Sequence, residues 1–376
     1  MSNKIVVLKK NEATVAVEFN DSEPLYINVT VPGKVTCGSI YAGRVSNVKK
    51  DLNAVFVDFL PGLTGFLPFS ELKKEVKQGD EFPVQVIKEP SRSKGYTLST
   101  EISLSGKYCV VFEKDNGIKV SQKTDKVKSD RLYDIFNEKV SLKKHGVIIR
   151  TSVDTDNAGE ALAEYEKLCD KLDNILKFGE CKTLYSCVYR ETPGYIRFIK
   201  DEIKNIDEII TEDEDLYKEL SDEFEDTVRL HDPARISLSA LYRLKRSFDL
   251  ATDKKVDLPC GGWIYIEPTE TLTAIDVNSG KIDNKKEHNE MVKKVNFEAA
   301  LEISRQLKLR NISGMIFIDF INFDSEEDEK ELLSYMKKLL KNDKCKTKVY
   351  GFTHLKLMEV SRQKINAPIY EYLPYL

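Results

Sequence analysis

Short runs of β-branched and aromatic residues, cut by Gly, Pro, Asn and Asp, dominate the first hundred positions of the chain. They predict strands over residues 4–8, 13–19 and 25–31. Between about residues 38 and 102 come four more strand-like runs, IYAGRVSNV, NAVFVDF, EFPVQVIKE and GYTLSTE, divided by turns at Pro61-Gly62 and Gly79-Asp80. Five or so strands in so short a span predict a small closed barrel of the oligonucleotide-binding kind. Residues 105–180 are mixed: a strand over 146–151, then a helix reaching 178 with Leu162, Tyr165, Leu168, Leu172 and Ile175 on one face. Residues 181–255 hold a strand, an acidic helical stretch and a loop-rich connection near His231-Asp-Pro. From Leu258 the order reads strand, strand, helix, strand, helix, strand, helix, an α/β layout with a crossover helix over 289–309. Ser325 with Asp328 gives a capping-box-like start to the helix that follows residues 316–320.

At 376 residues the chain is too long for one ordinary core, and two to four domains are expected. No uninterrupted apolar stretch reaches about 18 residues, and the first residues, MSNKIVVLKKNEATV, lack a signal-peptide layout. The expectation is therefore no membrane span and cytoplasmic residence. Seven cysteines (37, 109, 169, 181, 187, 260 and 345) form no CxxC pair, which points to reduced packing thiols. The net charge of −4 argues at first against a polyanionic partner. Residues 201–226, however, hold thirteen Asp/Glu and two Lys, a local net of −11, leaving +7 elsewhere. That balance permits a basic path for nucleic acid, and scattered surface lysines would give the same sum.

Candidate chemistry concentrates in two runs, TAIDVNSG (273–280) and IFIDF (316–320). Each places one carboxylate, Asp276 and Asp319, in or at the end of a stretch that reads as a buried strand. An ionised carboxylate there needs a cation or strong hydrogen bonds. With the amide of Asn278 the pair suggests oxygen ligands for one hard metal ion such as Mg²⁺, and two unrelated strand-end caps are the alternative. The 43-residue separation leaves room for a crossover helix, so both can converge at the strand exits where ligands bind in open α/β sheets. Four histidines in all give little support to histidine-based ribonuclease chemistry, and no Walker-type loop, GxSxG or HExxH occurs. In the barrel, Phe56 and Phe66 are candidates to stack on bases, with Lys49, Lys50, Lys73 and Lys94 for phosphates; core packing is the alternative. Arg150-Thr151, ending VIIRT, could grip a terminal phosphate or serve as a surface Arg beside a helix-capping Thr.

Longer blocks carry a resemblance. GGWIYIEPTETLTAIDVNSG, NFEAALEISRQLKLRNISGMIFIDFINF and MEVSRQK resemble the catalytic core of the ribonuclease E/G family. IYAGRVSNVKKDLNAVFVDFLPGLTGFLP resembles its S1 barrel, and GVIIRTS its 5′-end sensor, so the likeness covers nearly the whole chain in order. The resemblance implies that Asp276 and Asp319 hold Mg²⁺ (or Mn²⁺), and that Asn278 orients the scissile phosphate or a metal-bound carboxylate. It assigns Phe56 and Phe66 to RNA, beside which Lys94 is the expected phosphate contact, and Arg150 and Thr151 to a 5′-monophosphate. The fold implied is α+β and multidomain. A discontinuous ribonuclease-H-like subdomain (1–35 plus 185–255) surrounds an S1 (OB-fold) domain (36–104) and a 5′-sensor domain (105–184), and a DNase I-like catalytic domain (256–376) follows. The chain stops at Pro374-Tyr-Leu376 without the family's CPxCxG link, so no zinc and a monomer or dimer are expected in place of a zinc-linked tetramer. His354 stands where the family tends to carry Arg, and Gln122-Lys123 near a usually basic pair.

The expected function is a Mg²⁺-dependent endoribonuclease cutting single-stranded, A/U-rich, 5′-monophosphorylated RNA, in rRNA/tRNA processing or mRNA decay, leaving 5′-phosphate and 3′-hydroxyl ends. RNA-decay or ribosome-processing proteins are the expected partners. The alternative is a non-catalytic RNA-binding or regulatory protein that retains the fold. A third option gives residues 201–226 a docking role, against the ordinary solvated helical face.

Overall fold

A computed structural model describes all residues except 1, 34, 89, 91–94, 114–116, 122–123, 144, 180–182, 281–284 and 342. Lys94, Gln122, Lys123 and Cys181 thus lie outside the described residues. The chain forms two compact units, residues 1–32 with 194–376 and residues 33–193. The first unit opens with β1 (Asn3–Lys10), β2 (Ala13–Asn20) and β3 (Glu23–Thr30), an antiparallel meander joined by tight turns. All but the last residue of β2 are buried, as expected of a strand paired on both edges and covered on both faces.

The second unit begins with the barrel. Its strands are β4 (Ile40–Lys49), β5 (Ala54–Leu60), β6 (Leu63–Pro68), β7 (Glu81–Lys88) and β8 (Tyr96–Ser99). They run in the order β4-β5-β6-β8-β7, and pairing of β7 with β4 closes the ring. Val45, Val55, Val57, Phe59, Leu67, Val84, Val86 and Leu98 fill it. Gly65 is required there: a β-carbon would lie 2.5 Å from Leu98 Cδ1, inside the packed wall. Next come β9 (Ser103–Ser105), β10 (Cys109–Phe112), β11 (Ile118–Val120), α1 (Lys126–Lys143), β12 (Gly146–Ile149) and α2 (Ala158–Gly179). These four strands form a sheet ordered β11-β12-β10-β9. Its core unites Val111, Val147 and Ile149 with Leu132 and Phe136 of α1 and Tyr165, Cys169 and Leu172 of α2. The predicted α2 face holds at Tyr165, Leu172 and Ile175, whereas Leu162 and Leu168 are half-buried. β13 (Cys187–Tyr189) then pairs with β4 of the barrel, so the chain leaves this unit at Pro193, later than the sequence-based boundary near 185.

Back in the first unit are α3 (Gly194–Glu202), β14 (Glu208–Thr211), α4 (Glu214–Phe224), β15 (Val228–Leu230), α5 (Leu238–Leu241) and α6 (Leu244–Thr252). β14 pairs parallel to β1 and to β15, giving the sheet order β15-β14-β1-β2-β3. Residues 201–226 are therefore not one acidic helical stretch. β14 interrupts them because Ile209 and Ile210 are fully buried beside β1, and the carboxylates lie around this strand.

The remainder is β16 (Lys255–Asp257), β17 (Trp263–Pro268), β18 (Leu272–Asn278), α7 (Lys285–Leu309), β19 (Gly314–Asp319), α8 (Glu326–Leu340), β20 (Thr347–Phe352) and β21 (Leu357–Arg362). The sheet order is β16-β17-β18-β19-β21-β20, with β18 and β19 parallel and the other pairs antiparallel. The sequence pattern misses β21 as a separate strand, and the last predicted helix is a 3₁₀ stretch, Ile369–Tyr375. Ser325 does cap α8, but its Oγ accepts from the Glu327 N–H at 3.1 Å. Asp328 is engaged by Lys293 of α7 at 2.7 Å instead. Among the described residues no helix is long and apolar enough to cross a membrane.

Candidate active site and nucleic-acid surface

Strand periodicity decides the setting of the two aspartates. β17, β18, β19 and β21 alternate between a face buried under α7 and α8 and an outer face. Ile264, Ile266, Ile275, Val277, Ile316, Ile318, Met358 and Val360 point inward, packing on Val295, Ala299 and Ile303 of α7 and Leu332 and Met336 of α8. Asp276 and Asp319 fall on the other parity and are exposed. The expectation that both lie on buried strands is thereby corrected: the runs TAIDV and IFID alternate, and Ala274 and Phe317 occupy the outer face.

The same register brings the carboxylates together. β18 and β19 pair in parallel from Leu272↔Met315 to Asp276↔Asp319, which makes the aspartates direct lateral neighbours. Adjacent strands lie about 4.8 Å apart, so the two side chains rise side by side. Partial burial, followed by the charge of Asp276, pushes the Asp319 carboxyl above the ordinary aspartate value. Asn278 donates from Nδ2 to Asp276 Oδ2 at 2.7 Å, fixing that carboxylate from the same strand face. Among the described residues no group of three or more His, Cys, Asp or Glu converges, so this centre offers two carboxylates and an amide.

Two features that the sequence reading missed build the site. Gly262 opens β17 directly against Asn278. A β-carbon there would stand 2.7 Å from the Asn278 carbonyl oxygen, and only glycine leaves this backbone in place. Asn296, fully buried on α7, clamps the chain just beyond Asp319: its Nδ2 donates to Ile321 O at 2.8 Å, and its Oδ1 accepts from Ile321 N at 3.1 Å. A lone Asn inside an apolar helical stripe (Val292, Val295, Ala299) was the available signal, since buried amides are retained where they satisfy backbone. Asn296→Ala would leave both Ile321 groups without these partners. We expect a loss of about 2 kcal/mol in urea unfolding; stability within about 0.5 kcal/mol of the parent would contradict the clamp.

On the barrel, Phe56 and Phe66 lie outside the core, half-buried on the outer face. They are cross-strand partners, with ring centroids 6.0 Å apart in an edge-to-face arrangement. Their outer row runs Asn47–Phe56–Phe66–Thr97 across β4, β5, β6 and β8. Lys49 and Lys50 are exposed at the end of β4, while Lys73 is engaged by Glu113. Lys94 lies outside the described residues.

Arg150 follows β12, its N–H donating to Tyr108 O at 2.9 Å, and Thr151 is exposed. Just before α2, Asp154 and Asn157 bond reciprocally, each side chain accepting from the other's backbone N–H, at 2.8 and 3.2 Å. A cavity of about 240 Å³ opens in the same region between the start of α1 and the loop after β12, lined by Asp125, Val127, Lys128, Arg131, Asp154 and Thr155. Its two cations were not singled out from sequence. His354 is exposed in the turn between β20 and β21, at the end of the sheet where Asp319 pairs with Leu357. The six cysteines among the described residues are free thiols.

Comparison with known proteins completes the assignment. Residues 103–365 match the sequence model of the ribonuclease E/G family, and residues 34–101 match that of the S1 RNA binding domain. The chain is 30% identical to ribonuclease E of Synechocystis, over 99% of this chain and 58% of that protein. It is 29% identical to a putative ribonuclease E of Buchnera aphidicola, over 93% of this chain and 92% of that one. Ribonuclease G of Escherichia coli is 28% identical, over 88% of this chain and 73% of its own. The chain therefore spans little more than half of some relatives and nearly all of another. With an S1 domain preceding a match to the family's own model over more than half of its length, the chain belongs to the ribonuclease E/G family.

Proposed function

We propose that this chain is a Mg²⁺-dependent endoribonuclease acting on single-stranded RNA. The observation that carries this reading is the in-register pair Asp276↔Asp319 on an exposed sheet face, with Asn278 bonded to Asp276. Two adjacent oxygen-only acids and an amide fit Mg²⁺, which commonly takes one or two carboxylates and completes its shell with water and substrate phosphate. They do not fit zinc, which favours sets rich in nitrogen and sulfur. Bound there, the ion would supply Lewis acidity, yielding a water-derived nucleophile near neutral pH and offsetting charge on the phosphodiester.

The chain's own residues do the rest. Asp276 and Asp319 would hold the cation, Asn278 keeps Asp276 in one orientation, and the Asn296 clamp fixes the backbone beyond Asp319. Phe56 and Phe66 offer bases an exposed pair of rings, at about 1–3 kcal/mol per stacked base. Arg150 and Thr151, beside the cavity bearing Lys128 and Arg131, are suited to a 5′-monophosphate, which matches a preference for such RNA. Attack by water on the phosphodiester would leave 5′-phosphate and 3′-hydroxyl ends. Processing of rRNA and tRNA or decay of mRNA, with A/U-rich sites, is the corresponding cellular role in the cytoplasm. The mixed five-stranded sheet with β1 central supports the ribonuclease-H-like reading of its subdomain, and the helix-backed six-stranded sheet supports the DNase I-like one.

Metal removal tests the proposal. Cleavage of a 5′-monophosphorylated, single-stranded oligonucleotide should stop in EDTA, return with Mg²⁺ or Mn²⁺, and give ligatable 5′-phosphate ends. Undiminished cleavage in chelator would sink it. Binding that persists while no cleavage appears under any divalent ion would favour the non-catalytic alternative.

A further inference from the structure

The outer face of the catalytic sheet carries aromatic rings beside the carboxylates. Trp263 and Tyr265 both project from β17 on the parity of Asp276, the first half-buried and the second 38% exposed. Register makes Tyr265 the direct cross-strand partner of Asp276, and Trp263 that of Asn278. Side chains so paired rise about 5 Å apart at Cβ, so both rings flank the acidic pair on the same surface.

The neighbouring edge strand β16 and the residue before it add cations to those rings. Lys255 Nζ lies 4.9 Å from the Trp263 ring centre, and Lys254 Nζ 6.0 Å from that of Tyr265. Each lysine also meets an exposed acid, Lys255 with Asp257 at 2.7 Å and Lys254 with Glu267 at 2.9 Å. Pairs exposed to this degree are held weakly and exchange readily for other partners. An aromatic ring open to solvent, with a mobile ammonium beside it and two acids one strand away, is what a nucleotide needs: a stacking surface for the base and a counter-charge for its phosphate.

We propose that Trp263 and Tyr265 form a stacking platform for the base of single-stranded RNA adjacent to the bond cut at Asp276 and Asp319. The proposal rests on the catalytic reading given above for the position of that bond. The occupant is RNA and not a protein because the rings adjoin the carboxylate pair and carry lysines, a combination suited to a polyanion bearing aromatic bases.

Trp263 is the sole tryptophan of the chain, so its emission reports this one spot. Asp319→Asn protein, chosen to limit cleavage, would be titrated with a labelled single-stranded RNA octamer. Anisotropy would report binding and Trp emission the platform. Emission should be quenched in step with anisotropy, whereas inorganic polyphosphate should leave it unchanged. Saturated binding with unaltered emission, or equal quenching by polyphosphate, would overturn the proposal. So would self-association that alone changes Trp263 emission and that RNA fails to reverse, because the face would then be covered by a second copy. Trp263→Ala should weaken octamer binding roughly 5- to 100-fold and Trp263→Phe restore most of it; parental affinity in the Ala variant would also refute it. Cleavage at the parental rate by Asp319→Asn would instead undo the catalytic assignment, and the binding readouts stand apart from it.

Discussion

Asp319→Asn should lower the rate of RNA cleavage by at least roughly 100- to 1,000-fold while leaving RNA affinity near that of the parent. The change preserves shape and removes one of the two charges that face each other across β18 and β19. Asp319 is exposed at a strand end, so folding should survive; removing a like-charge neighbour relieves repulsion that the fold otherwise bears. Asp276→Asn should behave alike in cleavage, with one added effect: Asn278 Nδ2 loses its charged acceptor, so its amide is freer to turn. Single-turnover cleavage of a saturating oligonucleotide, with binding measured in parallel, checks both. Turnover comparable to the parent in either variant would remove the acidic pair from the mechanism.

Arg362→Leu should cost about 3–5 kcal/mol in unfolding free energy, the largest stability effect expected of a single side chain here. Arg362 is 2% exposed and Asp343 6% exposed. The guanidinium donates to Asp343 through Nε at 2.7 Å and Nη2 at 3.1 Å, and from Nη1 to Ile312 O at 2.9 Å. These contacts tie the end of β21 to the turn after α8 and to the entry of β19. Burial alone would push the Asp343 carboxyl up; Arg362, with Thr347 and the Cys345 N–H, more than reverses this and holds it below the usual range. A depressed folded-state pKa makes the contribution complete above the unfolded value of about 3.9 and lost as pH falls through the folded value. The parent should therefore lose this stabilisation below about pH 4. In Arg362→Leu the sign inverts. Burial, the largest single influence, is then opposed only by Thr347 and the Cys345 N–H, so the carboxyl is expected to titrate above its unfolded value and the deficit to shrink on acidification from pH 7 towards pH 5. Urea unfolding across that range checks it; a deficit independent of pH would show that Asp343 does not carry the effect.

Particular residues show how far the chain could be read unaided. The barrel was legible because strand alternation and turn glycines are local signals; Phe56 and Phe66 could be named, but only the packed barrel puts them on the parity opposite to Val55, Val57 and Leu67 and outside the core. The acidic centre could be named but its surroundings could not. TAIDV and IFID read equally as strands covered on both faces or on one, since Ala274 and Phe317 tolerate either; packing on α7 and α8 selects one face and exposes the aspartates. β14 was hidden within an acid-rich segment because Ile209 and Ile210 gain their burial from β1, about two hundred positions earlier. Trp263 was passed over for the same reason, as its meaning comes from lying opposite Asn278.

By itself, then, the order of amino acids determined the family and the small barrel, and singled out Phe56, Phe66, Asp276 and Asp319 as candidates, because these rest on local periodicity and contiguous motifs. The tertiary structure decided which acids are neighbours, which sheet face is open, which way Phe56 and Phe66 turn, and which residues brace the centre, such as Gly262 and Asn296. Those depend on strand register and helix packing between segments tens to hundreds of residues apart, where side-chain burial is settled by the partner and not by the segment's own composition.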